Sequence, residues 1–310
     1  YAEDPANGFL PSVGPVHDFH AHEVGGVIVD AGIESGGEVS MHYDPMVAKL
    51  IAWGEDRDDA HARLLRALDG LSVQGVKTNR NFLTRLISHP KYREGALHTG
   101  FIDEHLGDAL AEPVDAERRR QCAVAATLAG FLTRRAHDSY LPGVVTGFRN
   151  NRFADQFVEY EHGPRVEYRD LGGSRFLVGG GEWKVVSFDA PALVLESPDG
   201  LRERFRVTQV DDTCFVHARH GSEVLKVTPR FPMPQDPTLK GGFMAPMPGK
   251  VVKVNVKPGD AVKAGATLLV LEAMKMEQAT RSSADGVLKA VLVREGDQVT
   301  AGQILVTLEE

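Results

Sequence analysis

The 310 residues contain two cysteines, Cys122 and Cys214, far apart and each in an apolar stretch. That excludes a disulfide framework and a CxxC metal clamp, and predicts buried free thiols in a reducing compartment. Long hydrophobic runs are missing too: no apolar stretch approaches the ~20 residues of a membrane-spanning helix. There is no basic excess. Lys and Arg number 35 against 43 Asp and Glu, for a formal net charge of −8, which argues against nucleic acid or an anionic membrane as the main partner. No basic segment followed by an apolar core opens the chain, and the first residue is Tyr1, as expected of the interior of a longer polypeptide. A Gly-rich phosphate loop followed by acidic metal ligands is also lacking. Gly179-Gly180-Gly181 sits between short strand-like runs and reads as a turn. What remains is ordinary globular composition, 42% hydrophobic and 25% charged, and enough chain for two or three domains.

The first 108 residues read as mixed α/β. Val27-Ile28-Val29 and the run from Val47 to Trp53 suit strands or buried segments. Between Glu55 and Leu71 the apolar residues Ala60, Leu64, Ala67, Leu68 and Leu71 recur at helical spacing, with Gly70 near the stop. A second helix is predicted from about Asn79 to Ser88, with Thr78 as N-cap and Pro90 beyond its end. A third covers residues 115–137, with Asp115 as N-cap. Its stretch from Cys122 to Leu132 is apolar on every face, so it must be buried on every face. Eight short strand-like runs between Phe157 and Val227 follow at once, parted by turn signals such as His162-Gly163-Pro164 and Ser197-Pro198-Asp199-Gly200. The expectation is an antiparallel barrel wrapped around that helix.

Pro229, Pro232, Pro234 and Pro237 mark a semi-extended linker, placed at residues 231–242. Beyond it the chain repeats itself at an offset of 37 residues. Gly249 matches Gly286, Gly259-Asp260 matches Gly296-Asp297, Val262 matches Val299, and Ala264-Gly265 matches Ala301-Gly302. Matched glycines with matched strand alternation mean two copies of one unit, which predicts two facing sheets with quasi-two-fold symmetry. Ala273-Met274-Lys275-Met276-Glu277 has no counterpart of its own and lies at the handover between copies, which predicts a hairpin tip at Lys275.

Glu272-Ala273-Met274-Lys275-Met276 resembles the biotin attachment motif of biotin carboxyl carrier domains. Ala245-Pro246-Met247-Pro248-Gly249 resembles the motif that such domains place about 27 residues upstream. This resemblance implies biotin joined to the Lys275 amine by a biotin protein ligase. It implies that Ala273 leaves room for the ligase, and that Met274 and Met276 are flexible apolar flanks able to repack against different partners. Tyr1-Ala2-Glu3-Asp4-Pro5, Gly8-Phe9-Leu10-Pro11, His42-Tyr43-Asp44-Pro45-Met46 and Lys77-Thr78-Asn79 resemble the C-terminal lobe of biotin carboxylases. The middle region is similar to the helix-in-barrel domain that docks the carboxyltransferase in propionyl- and methylcrotonyl-type enzymes, with Leu141-Pro142-Gly143 and Gly147-Phe148-Arg149-Asn150 as its opening hook.

Together these resemblances imply the C-terminal part of the biotin-containing alpha subunit of an acyl-CoA carboxylase. The implied fold class is multidomain and mainly β with an α/β N-terminal lobe. Its pieces are the carboxylase lobe at 1–108, a helix-plus-barrel docking domain at 109–230, the linker at 231–242 and a biotinyl domain of flattened β-barrel form at 243–310. The implied work is to carry carboxybiotin on Lys275 from an ATP- and Mg-dependent site to a carboxyltransferase (beta) subunit, where an acyl-CoA accepts the carboxyl group. That makes the protein a hetero-oligomer with no nucleic-acid or membrane partner, cytoplasmic in a bacterium or in the mitochondrial matrix of a eukaryote. Because the ATP-binding portion is absent from these residues, they are not expected to act alone, and no catalytic residue or metal is assigned in them. One departure stands out: the family carries an arginine near the biotin site where this chain has Ile28, in Gly26-Val27-Ile28-Val29-Asp30. A lipoyl-bearing carrier and an unmodified scaffold are the competing readings, and the two methionines beside Lys275 favour biotin over lipoate. His17, His20 and His22 form an H-x-x-H-x-H pattern that could take a metal, although a polar loop is the plainer reading. Lys49, Arg57 and Arg85 read as salt-bridged surface or subunit-contact residues.

Overall fold

The computed structural model describes residues 1–107, 115–137, 154–219, 221–231, 242–273 and 276–308. The linker call therefore falls almost wholly outside the described residues, and so do the hook residues 141–150.

The first 107 residues form four two-stranded antiparallel ribbons and four α-helices, with a core of Ala2, Val16, Val39, Val47, Leu71 and Val73. Helix α1 spans Arg57–Asp69 and begins at Asp56, whose side chain accepts from the Asp59 amide at 2.8 Å. Helix α2 is Arg80–Ser88, α3 is Pro90–Arg93 and α4 is Phe101–His105. The N-cap of α2 is Asn79 rather than Thr78, and its side chain makes no capping bond. Asn79 Oδ1 is taken instead by the amino group of Tyr1 at 2.9 Å, a long-range contact that no local signal predicts. Val27–Ala31 pairs with Ala48–Ala52, so both runs are strands. They are not buried segments: Ile28 and Ile51 are cross-strand partners, exposed by 64% and 45% on the open face of the ribbon.

The middle region is the expected helix inside a sheet. Helix α5 covers Ala116–His137, and Asp115 accepts from the Glu117 and Arg118 amides. From Cys122 to Phe131 every residue is buried. Eight antiparallel strands from Gln156–Glu159 to Gly221–Lys226 run in sequence order around it. The meander closes on itself through the Tyr160–Val227 bridge and the Thr228 amide, which donates to the Glu159 carbonyl at 2.8 Å. An apolar helix thus finds an apolar lining on all sides: Phe131 meets the ring edges of Phe176 and Tyr168, and the hydroxyls of Thr127 and Tyr160 satisfy each other at 2.9 Å. Burial pushes the Cys122 and Cys214 thiols up to about 12 and about 11, so both are inert at neutral pH.

The C-terminal region obeys the 37-residue offset strand by strand. One sheet orders Met276–Arg281, Thr267–Ala273, Gly249–Val254 and Gln298–Val299. The other orders Gly242–Met244, Ile304–Leu308, Gly286–Val291 and Ala261–Val262, the twin of each strand in the same place. The core pairs in the same way, Val251 with Leu288 and Leu268 with Leu305, all fully buried. At the matched turns, Gly259 and Gly296 have φ of 91° and 94°, a conformation closed to most other residues.

A buried polar network joins the N-terminal lobe to the barrel. Arg206 grips Asp18 with both arms at 2.6 and 2.8 Å, and Ser72 Oγ donates to the same carboxylate at 3.1 Å. His217 sits beside this network. Its Nε2–H donates to the Asp69 carbonyl at 3.0 Å, which leaves Nδ1 to accept from the Ser222 hydroxyl at 3.0 Å. Burial, and then the nearby Arg80 cation, hold its pKa down at about 3. The ring is therefore neutral in the folded protein, whereas in the unfolded chain it takes up a proton near pH 6.5. Stability should fall as pH drops from 6.5 to 4, by roughly 3 kcal/mol from this residue. Urea midpoints measured across that range should fall less steeply for His217→Gln, and parallel curves would disprove the assignment.

Candidate functional site

The hairpin singled out by the sequence pairs Thr267–Ala273 with Met276–Arg281, in the register Leu271–Gln278, Glu272–Glu277 and Ala273–Met276. Met274 and Lys275 lie outside the described residues, and Met276 enters only through its backbone pairing. The frame on either side is well defined. Leu268, Leu269 and Leu271 are fully buried and anchor the first strand. Ala273 is 4% exposed, so its small side chain has a packing reason of its own. Glu272 and Glu277 face each other across the strands, and both are exposed.

The upstream motif belongs to the same structure. Gly249 runs against the base of the hairpin, where a Cβ would lie 2.7 Å from the Glu272 carbonyl oxygen and 3.5 Å from Ala273 Cβ. Only glycine allows that approach. Ala245 and Met247 are buried, at 3% and 2% exposure, while Pro246 is exposed. The second repeat copy holds the motif in place: the Ala245 amide donates to the Gln303 carbonyl at 2.8 Å, and the Gly302 amide donates to the Ala245 carbonyl at 2.9 Å. Pro246, Met247 and Pro248 also form one wall of a cleft of about 380 Å³, whose other wall includes Asp4, Leu10 and Lys77 of the N-terminal lobe. Burial alone would raise the Asp4 pKa. Hydrogen bonds from Lys77, Asn7 and the Ala6 amide outweigh it and hold the carboxyl below its usual value.

Two family models match the chain. Residues 1–104 match the biotin carboxylase C-terminal domain, and residues 242–308 match a model described as biotin-requiring enzyme. Among curated proteins, the chain is 32% identical over 330 residues to the mitochondrial methylcrotonoyl-CoA carboxylase subunit alpha of Mus musculus, covering 100% of this chain and 46% of that protein. It is 30% identical over 337 residues to the mitochondrial propionyl-CoA carboxylase alpha chain of Homo sapiens, covering 100% and 45%. The chain belongs with the C-terminal part of the biotin-dependent acyl-CoA carboxylase alpha subunits. It spans about half the length of the curated alpha subunits it matches. Among solved structures, the biotin carboxylase domain of Hydrogenobacter thermophilus 2-oxoglutarate carboxylase, in complex with MgADP, ADP and bicarbonate, is 30% identical, with 36% of this chain and 24% of that chain covered at a TM-score of 0.35.

The other residues singled out by the sequence belong to the N-terminal lobe and the barrel. Ile28 occupies an outward position on its ribbon, two residues from Asp30, which pairs with Lys49 at 3.1 Å. Among the described residues Arg57 has no salt-bridge partner, and its guanidinium donates instead to the carbonyls of Tyr92 and Arg93 at 2.9 and 3.2 Å. Arg85 is half-buried on α2. Gly179 and Gly180 are the two turn residues of a tight hairpin, both with positive φ, between Val178 and its register partner Gly181. His17, His20 and His22 do not converge on one point. The strand Asp18–Ala21 alternates its faces, and the His17 ring packs on Phe215 at 5.2 Å. Burial, and then the Arg206 cation, lower the pKa of His20 and leave it next to positive charge. Among the described residues, the metal-ligating side chains that do converge are His98, Glu104 and His105. The sequence signal for them was H-x5-E-H across a helix start, which a search for evenly spaced histidines passes over.

Proposed function

We propose that Lys275 carries biotin through an amide to its Nζ, and that this chain moves the cofactor between a biotin carboxylase site and a carboxyltransferase partner. Biotin, when bound, would serve as the carrier onto which a carboxyl group is loaded at one site and from which it is released at the other. The chain's own residues supply the rest. The repeat-built barrel holds the hairpin rigid, and Gly249 lets the upstream motif brace its base. The chain between barrel and lobe supplies reach, so that tethering raises the local concentration of the cofactor at both sites. The observation that carries this reading is the contact of Gly249 with Glu272 and Ala273, which makes the two matched motifs one structural unit.

We place the working pieces at 1–108, 109–230, 231–242 and 243–310, a division supported by three separate hydrophobic clusters. The helix-filled barrel is the proposed contact for the beta carboxyltransferase subunit. That partner holds the acyl-CoA in our reading, and ATP and Mg act on the portion of the alpha subunit that precedes residue 1 in the curated relatives. The proposed compartment is the bacterial cytoplasm, or the mitochondrial matrix in a eukaryote, as the mouse and human relatives are named. No helix among the described residues is long and apolar enough to cross a membrane.

Intact mass after co-expression with a biotin protein ligase tests the proposal. A biotin-sized increase is expected. A lipoyl-sized increase would move the chain to the 2-oxoacid dehydrogenase carriers, and an unchanged mass would leave it a scaffold. The Ile28 departure has its own test. Ile28 is 64% exposed, so an arginine fits there without repacking. A cation at that position would steady the anions of the carboxylation step. Ile28→Arg in the complete subunit is expected to raise ATP-dependent biotin carboxylation severalfold, and an unchanged rate would count against a role for a cation at this position.

A further inference from the structure

The turn after α3 brings together three donors that the biotin chemistry does not use. His98 Nε2 lies 3.3 Å from Glu104 Oε2, and His105 Nε2 lies 3.7 Å from Glu104 Oε1. All of the donor atoms are within 4.8 Å of one another. A tetrahedral metal about 2.0–2.2 Å from each ligand needs donors roughly 3.3 Å apart, so the spacing requires only small rotamer adjustments. Local structure fixes this arrangement. The Phe101 amide donates to the His98 carbonyl at 3.1 Å and closes the turn.

The rings are also held from behind. Phe101 is buried and meets the His105 ring edge-on at 4.7 Å. His89 stacks on His105, 5.1 Å away and 12° from parallel, and also meets Phe101 edge-on at 5.4 Å. His89 Nδ1 is buried with no hydrogen-bond partner, an unsatisfied polar atom beside the cluster. The cluster opens outward: the side chains of His98 and Glu104 are 50% and 58% exposed, while that of His105 is 12% exposed. Two imidazoles and one carboxylate, with the remaining position facing solvent, suit a borderline-soft divalent ion.

We propose that His98, Glu104 and His105 bind a divalent transition metal of the Zn²⁺ class, which clips the turn at 98–100 onto α4 and keeps one coordination position open to water. The site stands apart from the proposed biotin hairpin and does not depend on that reading.

The test uses the full chain, stripped with a chelator and titrated with Co²⁺ while visible absorption is recorded. One equivalent of Co²⁺ should give tetrahedral d–d bands that Zn²⁺ then removes. His98→Ala and His105→Ala should each weaken binding by more than about 100-fold, because loss of an outer-shell partner alone costs about 10- to 100-fold. His98 is half exposed, so its variant should keep the wild-type melting curve without metal even if His105→Ala folds poorly. His20→Ala should bind normally. Absent bands in the wild type, bands that persist in His98→Ala, or bands lost in His20→Ala would overturn the site.

Discussion

Lys275→Arg is expected to leave the chain folded and wholly without biotin. The ligase needs a neutral amine as nucleophile, and a guanidinium, which stays protonated at any working pH, offers none. Charge and chain length change little, and the strands that frame the position pair through Ala273 and Met276, which the substitution leaves alone. Thermal melting should therefore match the wild type, while intact mass after ligase co-expression shows no adduct. In the assembled carboxylase, acyl-CoA carboxylation should drop to background. A residual biotin adduct in this variant would place attachment on another lysine and sink the assignment.

Arg206→Ala is expected to destabilise the chain by about 3–5 kcal/mol, the cost of leaving a buried charge without its partner. Asp18 would be that charge: its side chain is 7% exposed and both of its oxygens are engaged by Arg206. Ser72 would remain as a single neutral donor, too little to replace a guanidinium. The effect should appear as a lower urea midpoint. Replacing both partners, Asp18→Leu with Arg206→Met, should recover most of the loss, because an apolar pair leaves no charge stranded. A full loss that persists in the double variant would show that the pair holds the lobe against the barrel by geometry and not by charge balance.

The sequence revealed features whose signal is local or periodic. The 37-residue offset placed twin strands correctly because matched glycines such as Gly259 and Gly296 are demanded by positive φ at the same turn. The barrel was legible because α5 has no polar face from Cys122 to Phe131, so something had to wrap it. Contacts between distant positions were not legible. Asp18 and Arg206 are 188 residues apart, and neither residue type announces a buried partner. Reading α2 from Asn79 made Thr78 its cap, but the helix starts one residue later, at Arg80, and the oxygen of its cap residue Asn79 is bound to Tyr1. The histidines at 17, 20 and 22 attracted a metal reading through spacing alone. A strand sends alternate residues to opposite faces, whereas a turn followed by a short helix folds His98 back onto Glu104 and His105.

Helix α5 also has a history during synthesis. It leaves the ribosome ahead of every strand that covers it, and closure waits for Val227, 90 residues after His137 (227 − 137). At about 5–20 residues per second that interval lasts roughly 5 to 20 s, with the apolar middle of the helix, Cys122 to Phe131, meeting water or a chaperone. A chain released early, before the closing strand, would keep its stickiest segment uncovered, so a stop codon within residues 221–227 should produce aggregates rather than a barrel short of one strand.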